Sequence, residues 1–192
     1  LGEDVAELIA TGPAERLALT TNTQPVMLTA GVACYRAWIA EGGAIPAVMA
    51  GHSLGEYGAL VAAGTIAFQD AVPMVRFRAQ AMQDAVPVGT GGMAAILGLE
   101  DDVVRQVCAD AQAATSEVVE AVNFNAPAQV VIAGSKVGVE KACELAKAAG
   151  AKRALPLPVS APFHSSLLQP ASEKLGQYLA DKTFQVPAID VI

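Results

Sequence analysis

The sequence predicts an α/β protein in which a small second domain is inserted into a larger one. Two observations support this. Of the 192 residues, 53% are hydrophobic, 16% are charged and 5% are aromatic, which is typical of a tightly packed α/β chain and not of a disordered one. Over residues 93–157 the apolar patterns follow the order β-α-β-β-α-β, while the residues before them follow a strand–turn–helix order.

The first part of the chain supplies elements of the larger domain. A helix is predicted from Pro25, because proline lacks the N–H that the first helical position leaves unbonded, and Gly42-Gly43 stops it. The short apolar run over residues 44–50 predicts a buried strand. The next predicted helix covers residues 54–63, and Gly64 is the expected glycine just beyond its end.

A further helix is predicted over residues 69–86, because apolar residues recur there at helical spacing. This stripe consists of Ala71, Val75, Ala79, Met82 and Val86. The glycine-rich stretch 88–92 then predicts a hinge. We therefore assign residues 1–88 and 159–192 to a large α/β-hydrolase-like domain with a parallel sheet, and residues 89–158 to the inserted domain.

The inserted domain is predicted to be ferredoxin-like. Its predicted elements are strand 93–99, helix 101–114, strands 118–124 and 129–133, helix 137–149 and strand 151–157. Asn125-Ala126-Pro127-Ala128 joins the two middle strands, and Gly150 ends the second helix. Four strands and two helices in this order make the split βαβ arrangement.

Charge, hydropathy and cysteine spacing exclude several classes of protein. A net charge of −7 argues against general nucleic-acid binding, and no apolar run reaches the roughly 18–20 residues that span a bilayer. Cys34, Cys108 and Cys143 have no metal or redox spacing, which predicts buried or half-buried free thiols in a reducing cytosol. We expect a cytoplasmic protein with no metal and no cofactor. The chain begins at Leu1, without Met, and ends in what reads as a strand, so we expect it to be a piece of a longer polypeptide.

A candidate nucleophile lies in the turn Gly51-His52-Ser53-Leu54-Gly55. Between a strand and a helix, a Gly-x-Ser-x-Gly turn is a nucleophile elbow, in which small flanking residues permit the tight turn and lift the serine oxygen above the sheet. The backbone N–H of Leu54 would then lie at a helix N-terminus and donate to an oxyanion. The pattern alone leaves an ordinary tight turn as the alternative.

A serine nucleophile needs a base, and the chain has only two histidines. His52 adjoins Ser53 and would point in a different direction, so a packing or hydrogen-bonding role is expected. His164 lies in a loop fixed by Pro158 and Pro162, and it is the predicted base. The sequence shows no obvious carboxylate to orient the imidazole.

Arg78 lies at the edge of the apolar stripe of the predicted helix 69–86. A guanidinium keeps its charge and favours an anion in a planar, bidentate arrangement. The alternative is an arginine that extends to the surface and meets a carboxylate there.

These motifs together resemble the family of malonyl-CoA:acyl-carrier-protein transacylases of bacterial type II fatty-acid synthesis, which is related to the acyltransferase domains of polyketide synthases. The resemblance covers essentially the whole chain. Its segments are Gly51 to Tyr57 (GHSLGEY), Arg78 within FRAQAMQ, Val122 to Gly134 (VNFNAPAQVVIAG) and His164.

The resemblance implies a two-step exchange in which Ser53, activated by His164, takes malonate from malonyl-CoA and passes it to the phosphopantetheine thiol of acyl carrier protein. Arg78 would hold the free malonyl carboxylate. Phe163 would crowd a 2-methyl branch in the acyl pocket, and Asn123 and Asn125 match an asparagine-rich segment beside the site. The family's N-terminal glycine–glutamine segment and its C-terminal portion, which supplies the acceptor for the histidine, have no counterpart in this chain.

Two other functions remain open on the sequence. A serine hydrolase or thioesterase would use the same elbow and histidine with water as the acceptor. A docking domain derived from a synthase would keep the elbow only for packing. For the carrier protein, which is acidic in this family, a local excess of basic residues predicts a docking face: Lys136, Lys141, Lys147, Lys152 and Arg153.

Overall fold

The computed structural model describes residues 1–87, 89–159 and 161–192 of a mixed α/β protein with one parallel and one antiparallel sheet. Val88, in the predicted hinge, and Ser160, in the loop before His164, lie outside the described residues. In chain order the elements are α1 (Val5–Thr11), α2 (Ala14–Ala18), α3 (Thr20–Ala40), β1 (Val48–Met49), α4 (Leu54–Ala62), α5 (Phe68–Asp84), β2 (Gly91–Leu97), α6 (Asp101–Thr115), β3 (Val119–Ala126), β4 (Gln129–Ser135), α7 (Lys136–Ala148), β5 (Arg153–Pro156), a 3₁₀ helix (Ser166–Leu168), α8 (Gln169–Ala180) and β6 (Asp190–Val191).

The chain falls into two compact units. Unit 1 contains Leu1–Gln80 and Leu175–Ile192, and unit 2 contains Ala81–Lys174. The domain boundaries predicted at residues 88/89 and 158/159 stay a prediction. No helix within the described residues is long and apolar enough to cross a membrane.

Helix α3 begins at Thr20, so the prediction that Pro25 opens this helix is wrong. The amides of Asn22 and Thr23 both donate to the carbonyl of Leu19 at 2.8 Å, which starts the helix five residues earlier. Pro25 lies inside the helix with its side chain fully buried. A proline there loses one backbone hydrogen bond, but burial of its ring and of the neighbouring apolar face of α3 offsets that loss. The helix ends before Gly42, as predicted.

Strand β1 is much shorter and more exposed than the predicted buried strand over residues 44–50. It pairs in parallel with β6, with Val48 opposite Asp190. Ile45 is 70% exposed and Val48 is 48% exposed. An apolar run indicates a strand, but the length of a strand depends on its hydrogen-bonding partner, and β6 has only two residues.

Helices α4 and α5 follow the predictions closely. Helix α4 ends at Ala62, and Gly64 takes the left-handed conformation with φ +80°, as expected of the residue beyond a cap. The predicted stripe of α5 and of the turn after it is buried throughout. The core of unit 1 consists of Leu28, Val32, Ile66, Ala71, Met74 and Val75.

Unit 2 has the predicted order β-α-β-β-α-β, and each element begins and ends within two residues of its predicted limits. Its strands pair antiparallel in the order β3-β4-β2-β5. Alternation along the strands separates two faces. One face packs with α6 and α7 around Ile96 and Ile132, which are fully buried, whereas the other face buries Met93 and Val131.

Candidate active site

Ser53 has the strained backbone of a sharp strand-to-helix turn. Its φ is +54° and its ψ is −111°, a conformation that non-glycine residues rarely adopt. The turn between β1 and α4 is closed by the Gly55 amide, which donates to the carbonyl of His52 at 2.9 Å. Positive φ at a serine between a strand and a helix matches the geometry expected of a nucleophile elbow and differs from the extended backbone of an ordinary helix cap.

The tightness of the turn explains Gly51 but not Gly55. A Cβ atom on Gly51 would lie 2.0 Å from the carbonyl carbon of Gly55, so no larger residue fits at position 51 without moving the backbone. A Cβ atom on Gly55 would meet nothing within 4 Å. The expectation that both flanking residues must be small is therefore correct for Gly51 and wrong for Gly55, whose backbone, and not its missing side chain, makes the close approach.

Leu54 is the first residue of α4, so its amide lies at the positive end of the helix dipole. Its side chain packs against the core of unit 1. Within the described part of the chain, no acceptor is hydrogen-bonded to this N–H. The amide beside Ser53 can therefore donate to a negatively charged oxygen, and its role as an oxyanion donor stays a prediction.

Arg78 is hydrogen-bonded directly to the candidate nucleophile. One guanidinium nitrogen (Nη2) donates to Ser53 Oγ at 3.0 Å, and the other (Nη1) donates to Gln24 Oε1 at 2.7 Å. The guanidinium carbon lies 5.8 Å from the centre of the Tyr57 ring. Burial lowers the pKa of Arg78, and the nearby Tyr57 and Glu56 oppose that change. An arginine remains charged under these conditions, so a cation is held beside Ser53.

No carboxylate in residues 1–87, 89–159 and 161–192 forms an ion pair with Arg78. The alternative of an arginine that meets a carboxylate at the surface therefore does not describe Arg78. It describes Arg76, whose guanidinium lies 3.1 Å from the carboxylate of Glu3. The hydrogen bonds that Arg78 donates to Gln24 and Ser53 thus go to neutral acceptors, an arrangement that leaves room for a directly bonded anion.

Gln24 is a site residue that the sequence patterns did not indicate. It is only 5% exposed, and it donates to Thr20 Oγ1 at 3.1 Å while its carbonyl oxygen accepts from Arg78. With α3 predicted to begin at Pro25, Gln24 fell outside the helix. Because the helix begins at Thr20, Gln24 lies on the same buried face as Leu28 and Val32, which follow it at a spacing of four. A glutamine on a buried face indicates a polar partner.

A groove of about 810 Å³ in unit 1 contains Ser53 in its wall. Most of its lining is apolar, and its residues include Met27, Leu28, Tyr35, Met49, His52 and Leu54. Pockets that bind small molecules are commonly apolar with a few polar groups that fix orientation. The polar groups near this groove are those of the Ser53 turn, with exposed His52 among them.

His164 lies in unit 2, in the loop between β5 and the 3₁₀ helix, and its side chain is exposed. Its φ is +67°, which is uncommon for histidine. The loop is held by Ser165, whose Oγ donates to the carbonyl of Pro162 at 2.8 Å. Ser53 and His164 thus belong to different units, and their predicted pairing stays a prediction.

The other predicted site residues also lie in unit 2. Phe163 is partly buried against the apolar cluster of Met93, Val131 and Ala133. Asn123 is half-buried on β3, and Asn125 is exposed near the end of that strand. Their roles in the acyl pocket and beside the site stay predictions. All five residues of the predicted docking face are described on α7, β5 or the turn between them, and Lys141 is paired with Glu144 at 3.0 Å.

The cysteines differ from one another in burial. Cys108 and Cys143 are buried as expected, whereas Cys34 is exposed on α3, so the prediction of a buried or half-buried thiol is wrong there. Burial raises the pKa of Cys108 to about 12, with smaller contributions from Glu120 and Cys143. Burial also raises the pKa of Cys143. Both buried thiols are therefore neutral, which makes them unreactive core residues.

A strained serine at a helix N-terminus, hydrogen-bonded to a half-buried arginine, has the features of an acyl-transfer site. The sequence model of the acyl transferase domain family matches residues 1–192, and the chain belongs to this family.

The names of three similar proteins all combine malonyl transfer with acyl carrier protein. The chain is 56% identical over 192 residues to the malonyl CoA-acyl carrier protein transacylase of Escherichia coli K12, covering 100% of this chain and 62% of that protein. The crystal structure of the acyl-carrier-protein S-malonyltransferase of Burkholderia pseudomallei 1710b is 73% identical with a TM-score of 0.96, covering 100% of this chain and 62% of that one. A malonyl-transacylase in complex with its type II polyketide-synthase acyl-carrier protein is 48% identical with a TM-score of 0.96, covering 100% and 61%. The chain thus spans about three fifths of the length of these relatives.

Proposed function

We propose that the protein transfers a malonyl group from malonyl-CoA to the phosphopantetheine thiol of acyl carrier protein. The observation that carries this proposal is the hydrogen bond of 3.0 Å from Arg78 to Ser53 Oγ, which places a cation beside the nucleophile. The names of the relatives agree with this substrate and this acceptor. The coenzyme A thioester is a substrate, and the proposed reaction needs no cofactor and no metal.

In the proposed first half-reaction, Ser53 Oγ attacks the thioester carbon and gives its proton to His164, the base that the family motif assigns. The carbonyl oxygen becomes an oxyanion that accepts a hydrogen bond from the Leu54 amide. The carbon–sulfur bond then breaks, coenzyme A leaves with the proton, and a malonyl-Ser53 ester remains. In the second half, the carrier thiol loses its proton to His164 and attacks the ester carbon. The bond from that carbon to Ser53 Oγ then breaks, and His164 returns the proton to Ser53 Oγ.

Arg78 would select the acyl group. A malonyl carboxylate could form a charge-assisted, bidentate pair with the guanidinium, whereas an acetyl group would leave the half-buried cation hydrogen-bonded only to neutral partners. Gln24 would accept from Nη1 and so fix the plane of the guanidinium beside Ser53. Phe163 is proposed to limit branching at the 2-position, and Asn123 and Asn125 to line the site.

A carrier-loading assay tests this function against its two alternatives. Malonyl-CoA is mixed with the protein, with and without holo acyl carrier protein, and carrier-bound malonate and free malonate are both measured. The transferase predicts carrier-dependent formation of malonyl carrier with little free malonate. A hydrolase or thioesterase predicts rapid release of free malonate without carrier loading, and a docking domain predicts neither product.

The finer architecture is also proposed. The strand order β3-β4-β2-β5 with two helices supports a ferredoxin-like insert, and the strained Ser53 turn beside a parallel sheet supports an α/β-hydrolase-like larger domain. A cytoplasmic location would fit an enzyme that uses coenzyme A thioesters and free thiols.

The carrier protein is proposed to dock on the five basic residues of α7 and β5. Lys136, Lys147, Lys152 and Arg153 are exposed, and complementary charge mainly raises the rate of association. Reversing Lys147 and Lys152 to Glu should raise the KM for carrier severalfold and flatten its dependence on salt, while the KM for malonyl-CoA stays the same. Lys174→Glu, an exposed lysine outside this face, is the matched control. Equal KM values in the double variant and this control would exclude the docking face.

A further inference from the structure

The loop that carries His164 is held by a residue distant in sequence. Oε2 of Glu120, on β3, accepts a hydrogen bond from the backbone N–H of Ser166 at 2.6 Å, across a separation of 46 residues. Ser166 begins the 3₁₀ helix two residues after His164. A short hydrogen bond to a charged acceptor is stronger than one between neutral groups, so this contact ties the loop to the sheet of unit 2.

His164 needs such support, because its own backbone is strained. With φ +67° it lies in the left-handed region, which residues other than glycine adopt in a small minority of cases. On the N-terminal side the loop is anchored by buried Ala161 and Pro162, and Pro162 packs closely over Gly91. On the C-terminal side Ser165 is buried and bonded to Pro162, and Glu120 anchors the next amide.

Glu120 and His164 also border the same space. A pocket of about 350 Å³ within unit 2 is lined by both of them, together with Arg105, Cys108 and Gln112. Arg105 pairs with Asp102 at 3.8 Å and lies over the ring of Phe124. Within the described residues the Glu120 carboxylate forms no salt bridge, and it accepts the hydrogen bond from the loop instead.

We infer that Glu120 is a positioning residue, which fixes the orientation of His164 by accepting the hydrogen bond from the Ser166 amide. This inference rests on the proposed function for the role of His164, but the contact itself does not depend on that function. Misplacing a catalytic group by about 1 Å can cost about a hundredfold in rate, so a loose loop should slow the reaction without weakening substrate binding.

Two variants remove the contact from opposite sides. Glu120→Ala removes the acceptor, and Ser166→Pro removes the donor. Proline suits position 166, because this is the first residue of the 3₁₀ helix and because Ser165 before it is extended, with ψ 165°. Glu120→Gln keeps an acceptor oxygen without the charge. Glu117→Ala, an exposed acid just before β3, is the matched control.

The first readout is the rate at which a fluorophosphonate probe labels Ser53, which reports its activation without requiring malonyl-CoA. Glu120→Ala and Ser166→Pro should each slow labelling by about ten- to a hundredfold. Glu120→Gln should stay within about threefold of the unaltered protein, because a neutral acceptor retains part of the bond. The double variant should be no slower than either single one, because both remove the same interaction.

Two further readouts separate positioning from general stability and from the proposed function. In carrier loading, kcat should fall in Glu120→Ala while the KM for malonyl-CoA is unchanged, and amide exchange at Ser166 should accelerate. If malonyl transfer fails in the unaltered protein while fluorophosphonate labelling still depends on Glu120, the proposed function fails and this inference stands. Labelling of Glu120→Ala as fast as Glu117→Ala, equal losses in Glu120→Gln and Glu120→Ala, or additive losses in the double variant would each overturn it. Ser166→Pro carries the test if Glu120→Ala does not fold.

Discussion

Unit 1 holds Ser53 mainly through side chains from several helices, whereas unit 2 holds the His164 loop mainly through hydrogen bonds to backbone groups. In unit 1, Arg78 on α5 donates to Ser53 in the turn before α4, and Gln24 on α3 accepts from Arg78. In unit 2, the contacts to Pro162 and Ser166 fix the path of the chain around His164. The position of Ser53 therefore depends on helix packing, whereas the path of the chain at His164 depends on the geometry of one loop.

The units also differ in how completely their apolar residues are covered. The core of unit 2 lies between a four-stranded sheet and two helices and includes many fully buried side chains. Unit 1 leaves Met27, Trp38, Ile45 and Val48 largely exposed along α3 and β1. Packing is therefore expected to protect groups in unit 2 more strongly than comparable groups in unit 1.

The largest expected effect tests whether Ser53 and His164 act together in the reaction. Ser53→Ala and His164→Ala should each reduce malonyl transfer by at least about a thousandfold, and the double variant should be no slower than either single variant. Residues that act as one catalytic unit give such non-additive losses. Single-turnover transfer rates measure this, and a double variant slower by the product of the single effects would show independent roles.

The cysteines test the difference in packing. Cys34 in unit 1 is exposed, while burial raises the pKa of Cys108 in unit 2 to about 12. A raised pKa means less thiolate at a given pH, about a thousandfold less for Cys108 at pH 8 than for an ordinary cysteine. Iodoacetamide should therefore label Cys34 first and leave Cys108 and Cys143 intact until the protein is unfolded in guanidinium. Rapid labelling of Cys108 in the folded protein would contradict the packing of unit 2.

Arg78 tests the charge beside the nucleophile. Arg78→Ala should lower kcat/KM for malonyl-CoA by about a hundredfold or more, since loss of a buried charge partner costs about 2–5 kcal/mol. Arg78→Lys should recover only part of this, because lysine lacks the planar fork of arginine. Arg16→Ala, an exposed arginine of unit 1, is the control. An unchanged preference for malonyl-CoA over acetyl-CoA in Arg78→Ala would show that Arg78 does not bind the acyl group.

Gln24 should have the smallest effect of the four. Gln24→Leu removes the acceptor for Nη1 with little change in volume, and about a tenfold loss in kcat/KM for malonyl-CoA is expected. Gln24→Glu should be worse than Gln24→Leu, because a carboxylate there would pair with Arg78 and compete with the malonyl carboxylate. Cys34→Ala on the same helix is the control. A fully active Gln24→Glu would show that Gln24 does not orient the guanidinium.

The two units also differ in how much of their fold could be predicted from the sequence. The elements from β2 to β5, and α4 and α5, carry regular apolar spacing over their own length, so local patterns were sufficient. Helices α1 and α2 have only seven and five residues, too few for a periodic stripe. Helix α8 was missed although its apolar residues are spaced no less regularly than those of α4. Strand β6 and the true length of β1 depend on a partner distant in sequence, which local patterns do not contain.

The candidate site shows the same limit. Ser53 and Arg78 were recognisable because a turn motif and an out-of-place charge are local features. Gln24 was not, because its role depends on a helix start set by tertiary packing against Pro25. Glu120 was not, because its partner Ser166 lies on another element 46 residues away.

Intact mass spectrometry detects whether Ser53 takes up a malonyl group under the control of Arg78, as we propose. The protein is exposed briefly to malonyl-CoA or to acetyl-CoA in the absence of carrier, and the covalent adduct is measured. We predict a single malonyl adduct, absent in Ser53→Ala, and much less acetyl adduct under the same conditions. A malonyl adduct that persists in Ser53→Ala, or equal acetyl and malonyl loading of the unaltered protein, would contradict the account.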